Sequence, residues 1–418
     1  MWLFFVIFAL FGSITLSLDT WQRYQDNPIV ISMERDKFSW NTSFPAATIC
    51  PGYKINEKKL NEDIGQFKFT DNEKAMEFIN ALALANYSTF KDLPEFDEID
   101  SSDYIKILME YAFIFEPSVT NSGTSGVEYF LEKIITEMGV CYSFNSKLAK
   151  YSTMSYWNSN QWSVVPVNET FYVHPLDGEV FTNVVNMSTG FSIYIHGPEE
   201  TVDITSANIF SENGFFLQVY LSALTLFTSY AAGNLSIQQR KCRFSYESNL
   251  AHSPVYSYTL CRIECRIQLC LKLCGCIPYF YRPRAGERIC DVKGLRCLSN
   301  YADMLITLHN ENALGDSQDL CQCLQNCDEV SYVVEFMETR EWFLGSNLQW
   351  GLKEYPRMRL KRDVLFAFID VLVYVGGMAG LFLGCSVLSF AEIFYFLTIR
   401  LYRFIIDYRN ENKTIPKK

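Results

Sequence analysis

The 418-residue chain has only four histidines, His174, His196, His252 and His309, and they are scattered along it. That scarcity argues against a zinc site and gives no basis for a proton sensor built from histidine. No nucleophile stands beside a base, no glycine-rich loop is spaced to cradle phosphate, and no metal-ligand pattern occurs. An enzyme, a cofactor and a metal are therefore not expected. Basic excess is lacking too: the net charge is -11, and no basic patch suggests nucleic acid. Internal repeats and long low-complexity linkers are absent. No Lys or Arg precedes the apolar N-terminal run, and no small-x-small cleavage site follows it, which argues against a signal peptide.

What the chain does have is two long apolar runs, one at each end. Trp2 to Leu18 is the first, and Val364 to Ile399 is the second, with Asp370 and Glu392 as its only charges. Crossing a hydrocarbon core of about 30 Å takes about 20 apolar residues. Both runs are read as membrane spans. The interval between them holds all but one of the 14 cysteines, as expected of an extracellular, oxidising location. Glycosylation sequons at Asn41, Asn86, Asn168, Asn186 and Asn234 fall in the same interval, and a sixth, Asn412, lies beyond it. Arg400, Arg403, Arg409, Lys413, Lys417 and Lys418 follow the second run, which puts both termini in the cytoplasm. The rival reading is a cleaved leader and a single-pass cysteine-rich receptor.

Between the spans the periodicity is that of an α+β domain. Asp71 to Phe90 places Ala75, Phe78, Ile79, Leu82 and Ala85 on one helical face. Ser101 to Phe115 repeats the pattern. Thr124 to Phe144 reads as helix until Gly139, where a strand begins. Ser163 to Ile195 alternates as strands do. Cys261 and Cys265 would share a helix face, and Cys321 and Cys323 one side of an extended strand. Two neighbouring disulfides between such elements are natural. Thirteen exterior cysteines leave one thiol over or linked to another molecule.

Four stretches resemble one family, the epithelial sodium channel/degenerin superfamily, and within it the insect pickpocket branch. They are "FPAATIC" (44–50), "GVCYSFN" (139–145), "QRKCRF" leading into the cysteine module, and "GGMAGLFLGCSVLSFAEIFYF" (376–396) with its G-x-S triplet. They occur in family order and cover the chain from first span to last. The resemblance implies a trimeric cation channel, usually sodium-selective and amiloride-sensitive, opened by an external stimulus and often sensory, at the plasma membrane. Its subunits form homo- or heterotrimers. The hand-like fold it implies has palm, β-ball, finger, knuckle and thumb between two spanning helices. On this chain the boundaries are 2–18 for the first span and 19–363 for the exterior. Within the exterior, about 55–140 is the helical finger, 141–241 β-ball and palm strands, 242–330 the cysteine-rich thumb, and 331–360 the palm return. The second span is 364–399 and the cytoplasmic tail 400–418. The family pairing gives Cys242–Cys327, Cys261–Cys323, Cys265–Cys321, Cys274–Cys297 and Cys276–Cys290. Cys50, Cys141 and Cys270 are left, and the expectation is a Cys50–Cys141 pair with Cys270 odd. The family's cytoplasmic segment before the first span, with its His-Gly motif, has no counterpart here. The expectation is a truncated sequence or a subunit that conducts poorly without a partner.

The second run suits a pore. As one helix its 36 residues would reach ~54 Å, well beyond the core, so it is expected to tilt or to break near Gly384 to Ser386. Unwound backbone is tolerated in a membrane only where it is buried or faces water. The resemblance makes Gly384, Cys385 and Ser386 the expected selectivity filter, with carbonyls and a hydroxyl replacing part of an ion's hydration shell. Gly376, Gly377 and Gly380 would let copies approach closely, and Asp370 and Glu392 would attract cations. Close helix packing is the alternative for the glycines. For Glu392 it is a salt bridge with Arg400, and for Asp370 simple solvation. A non-conducting accessory subunit is the functional alternative.

Overall fold

A computed structural model describes the chain except residues 67–68, 123–129, 160, 168–169, 312–316, 385 and 407–418. The chain divides into two compact units, residues 33–227 with 242–361, and residues 1–32 with 228–241 and 362–418.

In the larger unit, the strands Ile209–Ser211, Phe191–His196, Ala46–Pro51, Gly139–Phe144 and Glu132–Thr136 form one sheet in that order. Two of the sequence signatures are neighbours in it, since Ala47 faces Phe144 and Ile49 faces Tyr142. The same register sets Cys50 opposite Cys141, and the two are joined by a disulfide. In a second sheet, Phe215–Thr228 pairs parallel with Ser346–Leu352 along one edge and antiparallel with Glu329–Glu341 along the other. Ser346–Leu352 continues to Val180–Met187, and that strand to Ser118–Asn121.

Trp350 explains why those two signatures carry aromatics. It is fully buried, with the rings of Phe44 and Phe144 at 6.4 and 5.3 Å, and its Nε1–H donates to the Pro45 carbonyl at 3.3 Å. Asn145, at φ 55°, then staples two backbones. Its amide donates to the Phe44 carbonyl at 2.7 Å, and its oxygen accepts from the Phe171 N–H at 2.8 Å. Arg359 lies over the rings of Trp40 and Phe227 at 4.4 and 4.0 Å, and its Nε and Nη2 reach Glu34 at 2.9 and 2.8 Å.

Asn72–Leu84 is helical as the periodicity predicts, with the Asp71 carboxylate accepting the first N–H groups and Ala75, Phe78, Ile79 and Leu82 buried. The second predicted helix is shorter, a 3₁₀ turn at Ser101–Asp103 and an α-helix at Tyr104–Glu110. Of the helix expected before Gly139, residues 124–129 lie outside the described residues, and the part at Glu132–Thr136 is instead a strand, turned back through Glu137 and Met138 onto Gly139–Phe144. β-Branched Ile134, Ile135 and Thr136 favour that, and Gly139 takes the φ of +91° that the turn needs. Among the described residues, the 55–140 stretch is thus helical only to Glu110.

The cysteine module is built on the helix Tyr258–Cys274, capped by the Ser257 hydroxyl and ended by left-handed Gly275. Disulfides join Cys261 to Cys323 and Cys265 to Cys321 along it, and Cys274 to Cys297 and Cys276 to Cys290 at its end. Cys242 is joined to Cys327, and Cys270 is a buried free thiol. Between the cysteines, Arg266 faces inward, fully buried, and its guanidinium engages Glu137 and, at 3.2 Å, Asp203. Its Nε–H donates to the Leu305 carbonyl at 2.7 Å. Tyr281 donates to Glu137, and Tyr87 lies 3.0 Å from Tyr281. Burial disfavours the Asp203 carboxylate, but Arg266 outweighs it and holds the pKa below its ordinary value.

In the smaller unit, Trp2–Asp26 is one 25-residue helix, longer than the Trp2 to Leu18 run. It packs antiparallel to the helix Phe368–Leu383: Tyr24 stands by Phe368 at 6.3 Å, and a Cβ on Gly12 would lie 3.3 Å from the Phe382 ring. Among the described residues, Trp2–Asp26 is the one helix long and apolar enough to cross a membrane.

Replacing Arg266 by Met leaves Glu137 buried without its cation and Asp203 with only Arg262, at 3.3 Å, so unfolding in denaturant should show a loss of roughly 3–5 kcal/mol. The ectodomain should also reach the cell surface less efficiently.

Candidate functional site

The break in the second apolar run is the site to which the sequence points. Phe368–Leu383 has 16 residues, about 24 Å of helix. It stops because Gly384 turns left-handed, at φ 64°, with its N–H returned to the Gly380 carbonyl at 3.0 Å. Ser386 starts the next helix, Val387–Tyr395, by accepting the Ser389 N–H, while its own N–H donates to the Ser389 hydroxyl at 3.2 Å. Cys385, between them, lies outside the described residues. After Tyr395 a π-helical turn spans Phe396–Arg400, and helix continues through residue 406.

Helical spacing sorts the side chains. Val371 is buried and Phe382 meets Gly12, so one stripe of Phe368–Leu383 faces the first helix. Asp370, Gly377 and Gly384 recur every seven residues and lie roughly 130° around from that stripe. A Cβ added at Gly376, Gly377 or Gly384 would meet nothing within 4 Å. Gly380 is exposed as well. These positions are uncovered within one chain. Asp370 is committed locally, accepting the Ala367 N–H at 2.8 Å at the helix start. Glu392 is exposed. Among the described residues it forms no ion pair with Arg400, whose guanidinium lies over Phe396 at 4.8 Å.

Of the sequons, Asn41, Asn186 and Asn234 are exposed and Asn86 is half-buried, its side-chain oxygen accepting from the Ser88 N–H at 3.0 Å. Asn168, and Asn412 with Arg409 and the terminal lysines, lie outside the described residues.

The structure also assembles a histidine site that the sequence did not suggest. His252 bridges two carboxylates, Glu264 at 3.0 Å through Nδ1 and Glu287 at 2.9 Å through Nε2. Burial works against the imidazolium, but the hydrogen bonds to both carboxylates outweigh it and raise the pKa. The three residues are 12 and 35 positions apart in sequence and meet only through the fold. His196 is the opposite case, with burial holding its pKa down at about 4.

A raised folded pKa stabilises the fold fully below the unfolded value of about 6.5 and loses that contribution as pH rises through the folded one. The melting-temperature advantage of the native chain over His252→Asn should therefore be largest below pH 6 and shrink as pH climbs above neutrality.

The comparisons with known proteins fit this geometry. The family model described as amiloride-sensitive sodium channel matches residues 1–396, which takes in the first apolar run, the break, and all but the last three residues of the second run. Pickpocket protein 11 of Drosophila melanogaster is 30% identical over 51% of this chain and 43% of its own length. Sodium channel protein Nach of the same fly is 21% identical over 96% of this chain and 82% of its own. The zebrafish (Danio rerio) acid-sensing ion channel 1C is 22% identical over 85% and 70%. With the match running through the disulfide-rich ectodomain and the broken apolar run alike, the chain belongs to the amiloride-sensitive sodium channel family.

Proposed function

We propose that this chain is a subunit of a trimeric, amiloride-sensitive sodium or cation channel of the plasma membrane, opened by an external stimulus and used in sensing. The two apolar runs both span the bilayer, with the termini in the cytoplasm and the disulfide-rich unit outside, carrying its glycans. Gly384, Cys385 and Ser386 form the filter. Copies of this chain, or related subunits, surround the axis, and the Asp370–Gly377–Gly384 stripe faces it. Asp370 and Glu392 attract cations from either side.

The observation that carries the reading is the interruption itself. Gly384 ends one apolar helix and Ser386 begins another, inside a run that lipid would otherwise favour as a single rod. In hydrocarbon each unsatisfied backbone group costs several kcal/mol, so such a break belongs beside water or protein. Around a threefold axis the freed carbonyls and the Ser386 hydroxyl would meet a partly dehydrated ion.

Expression in oocytes, alone and with related subunits, tests this. Currents that require the chain should be reduced by amiloride. Ser386→Ala or Gly384→Ala should lower the Na⁺/K⁺ permeability ratio by roughly threefold, about 0.65 kcal/mol of discrimination. An unchanged ratio in a chain-dependent current defeats the filter assignment. It would favour a non-conducting accessory subunit.

A further inference from the structure

A cavity in the ectodomain carries a charge with no counter-ion. It measures ≈ 240 Å³ and lies where the end of the helix Asn72–Leu84, the Glu137–Met138 turn and the strand Phe191–His196 converge. Lys54 lines it, half-buried. Among the described residues, no carboxylate, carbonyl or hydroxyl lies within bonding distance of the Lys54 ammonium. Glu137 is the one carboxylate on the wall, and it is already engaged by Arg266, by Tyr281 and by the Ile204 N–H at 2.7 Å. Ser192 and Asn86 also line the cavity, and their side-chain hydrogens are not donated to any described residue. Leu84 and Tyr194 supply apolar wall, with Leu84 at the rim.

An unpaired ammonium drawn out of water is costly, and the cost is relieved when an anion arrives. We propose that this cavity binds a small organic carboxylate, with Lys54 as its counter-ion and the Ser192 hydroxyl and Asn86 amide as further donors. Charge-assisted hydrogen bonds to a carboxylate are about twice as strong as neutral ones, and the apolar wall accepts a short hydrocarbon tail. A volume of ≈ 240 Å³ suits a tail of a few carbons. Burial holds the Lys54 amine down at about 8, so at neutral pH most of it is charged and able to pair. The site does not depend on the chain conducting ions, and its occupancy would act on the turn that bears Glu137, the partner of Arg266.

The test is protection from chemical labelling. The purified full chain is acetylated sparingly with an amine-reactive ester at pH 8, and each lysine is followed by peptide mass spectrometry in the presence of butyrate. Asn86 belongs to a sequon, so the measurement is made on Ser88→Ala, which removes the sequon and keeps Asn86. Butyrate should slow labelling at Lys54 saturably, about fivefold at four times the half-protecting concentration. Exposed lysines such as Lys74 and Lys91 should be unaffected, and 1-butanol should not protect. The proposal is overturned if acetate, butyrate and hexanoate all fail to protect Lys54 selectively, or if butanol protects as well as butyrate.

Discussion

A backbone carbonyl in hydrocarbon must be bonded, and a helix that breaks inside an apolar run makes that requirement hard to meet. Gly384 produces that situation with one residue. Its left-handed conformation costs a residue with a β-carbon roughly 1–2 kcal/mol and costs glycine almost nothing. Ser386 then restarts the helix by capping it with its own hydroxyl. The rest of the smaller unit accommodates this arrangement. The first helix covers only the Val371–Phe382 side of its neighbour, and the glycine stripe stays open. A lone chain in lipid would gain nothing from that exposure.

The ectodomain answers a different constraint. It is stapled by six disulfides, and its sheets are joined by side chains that each satisfy more than one backbone group. Asn145 is the plainest case, holding the Phe44 and Phe171 backbones at once. Arg266 does the equivalent for charge, since Glu137 and Asp203 come from segments far apart in sequence. A buried guanidinium with two carboxylates is weak evidence of net stability, because desolvation cancels much of the attraction. It is stronger evidence that the cysteine helix has one permitted seat.

Much of this was legible in the sequence, for identifiable reasons. The apolar face of Asn72–Leu84 follows from 3.6-residue spacing, and its start from the Asp71 cap. The break at Gly384 is one of the two outcomes, a tilt being the other, expected of a run too long for the bilayer, and the helix runs unbroken through Gly376, Gly377 and Gly380 before it. Other features were hidden. Glu132–Thr136 carries charge and apolar residues that fit a helix as well as a strand, and only the turn before Gly139 decides between them. The first helix runs on to Asp26 because hydropathy marks where a span ends, whereas a helix can continue through Thr20 to Tyr24. The His252 site is invisible in sequence because its carboxylates arrive from a helix and a separate loop. Lys54 likewise reads as an ordinary surface lysine until the fold closes around it.

The strand Phe215–Thr228 has partners along both long edges, parallel on one and antiparallel on the other. The chain passes directly from it to Ser229, whose N–H donates to the Arg362 carbonyl at 2.9 Å and whose hydroxyl donates to Asp363 at 2.8 Å. A tug along that strand's axis loads two ladders of cross-strand bonds in shear, so they resist together instead of unzipping one by one. Such an element behaves as a stiff tie rod.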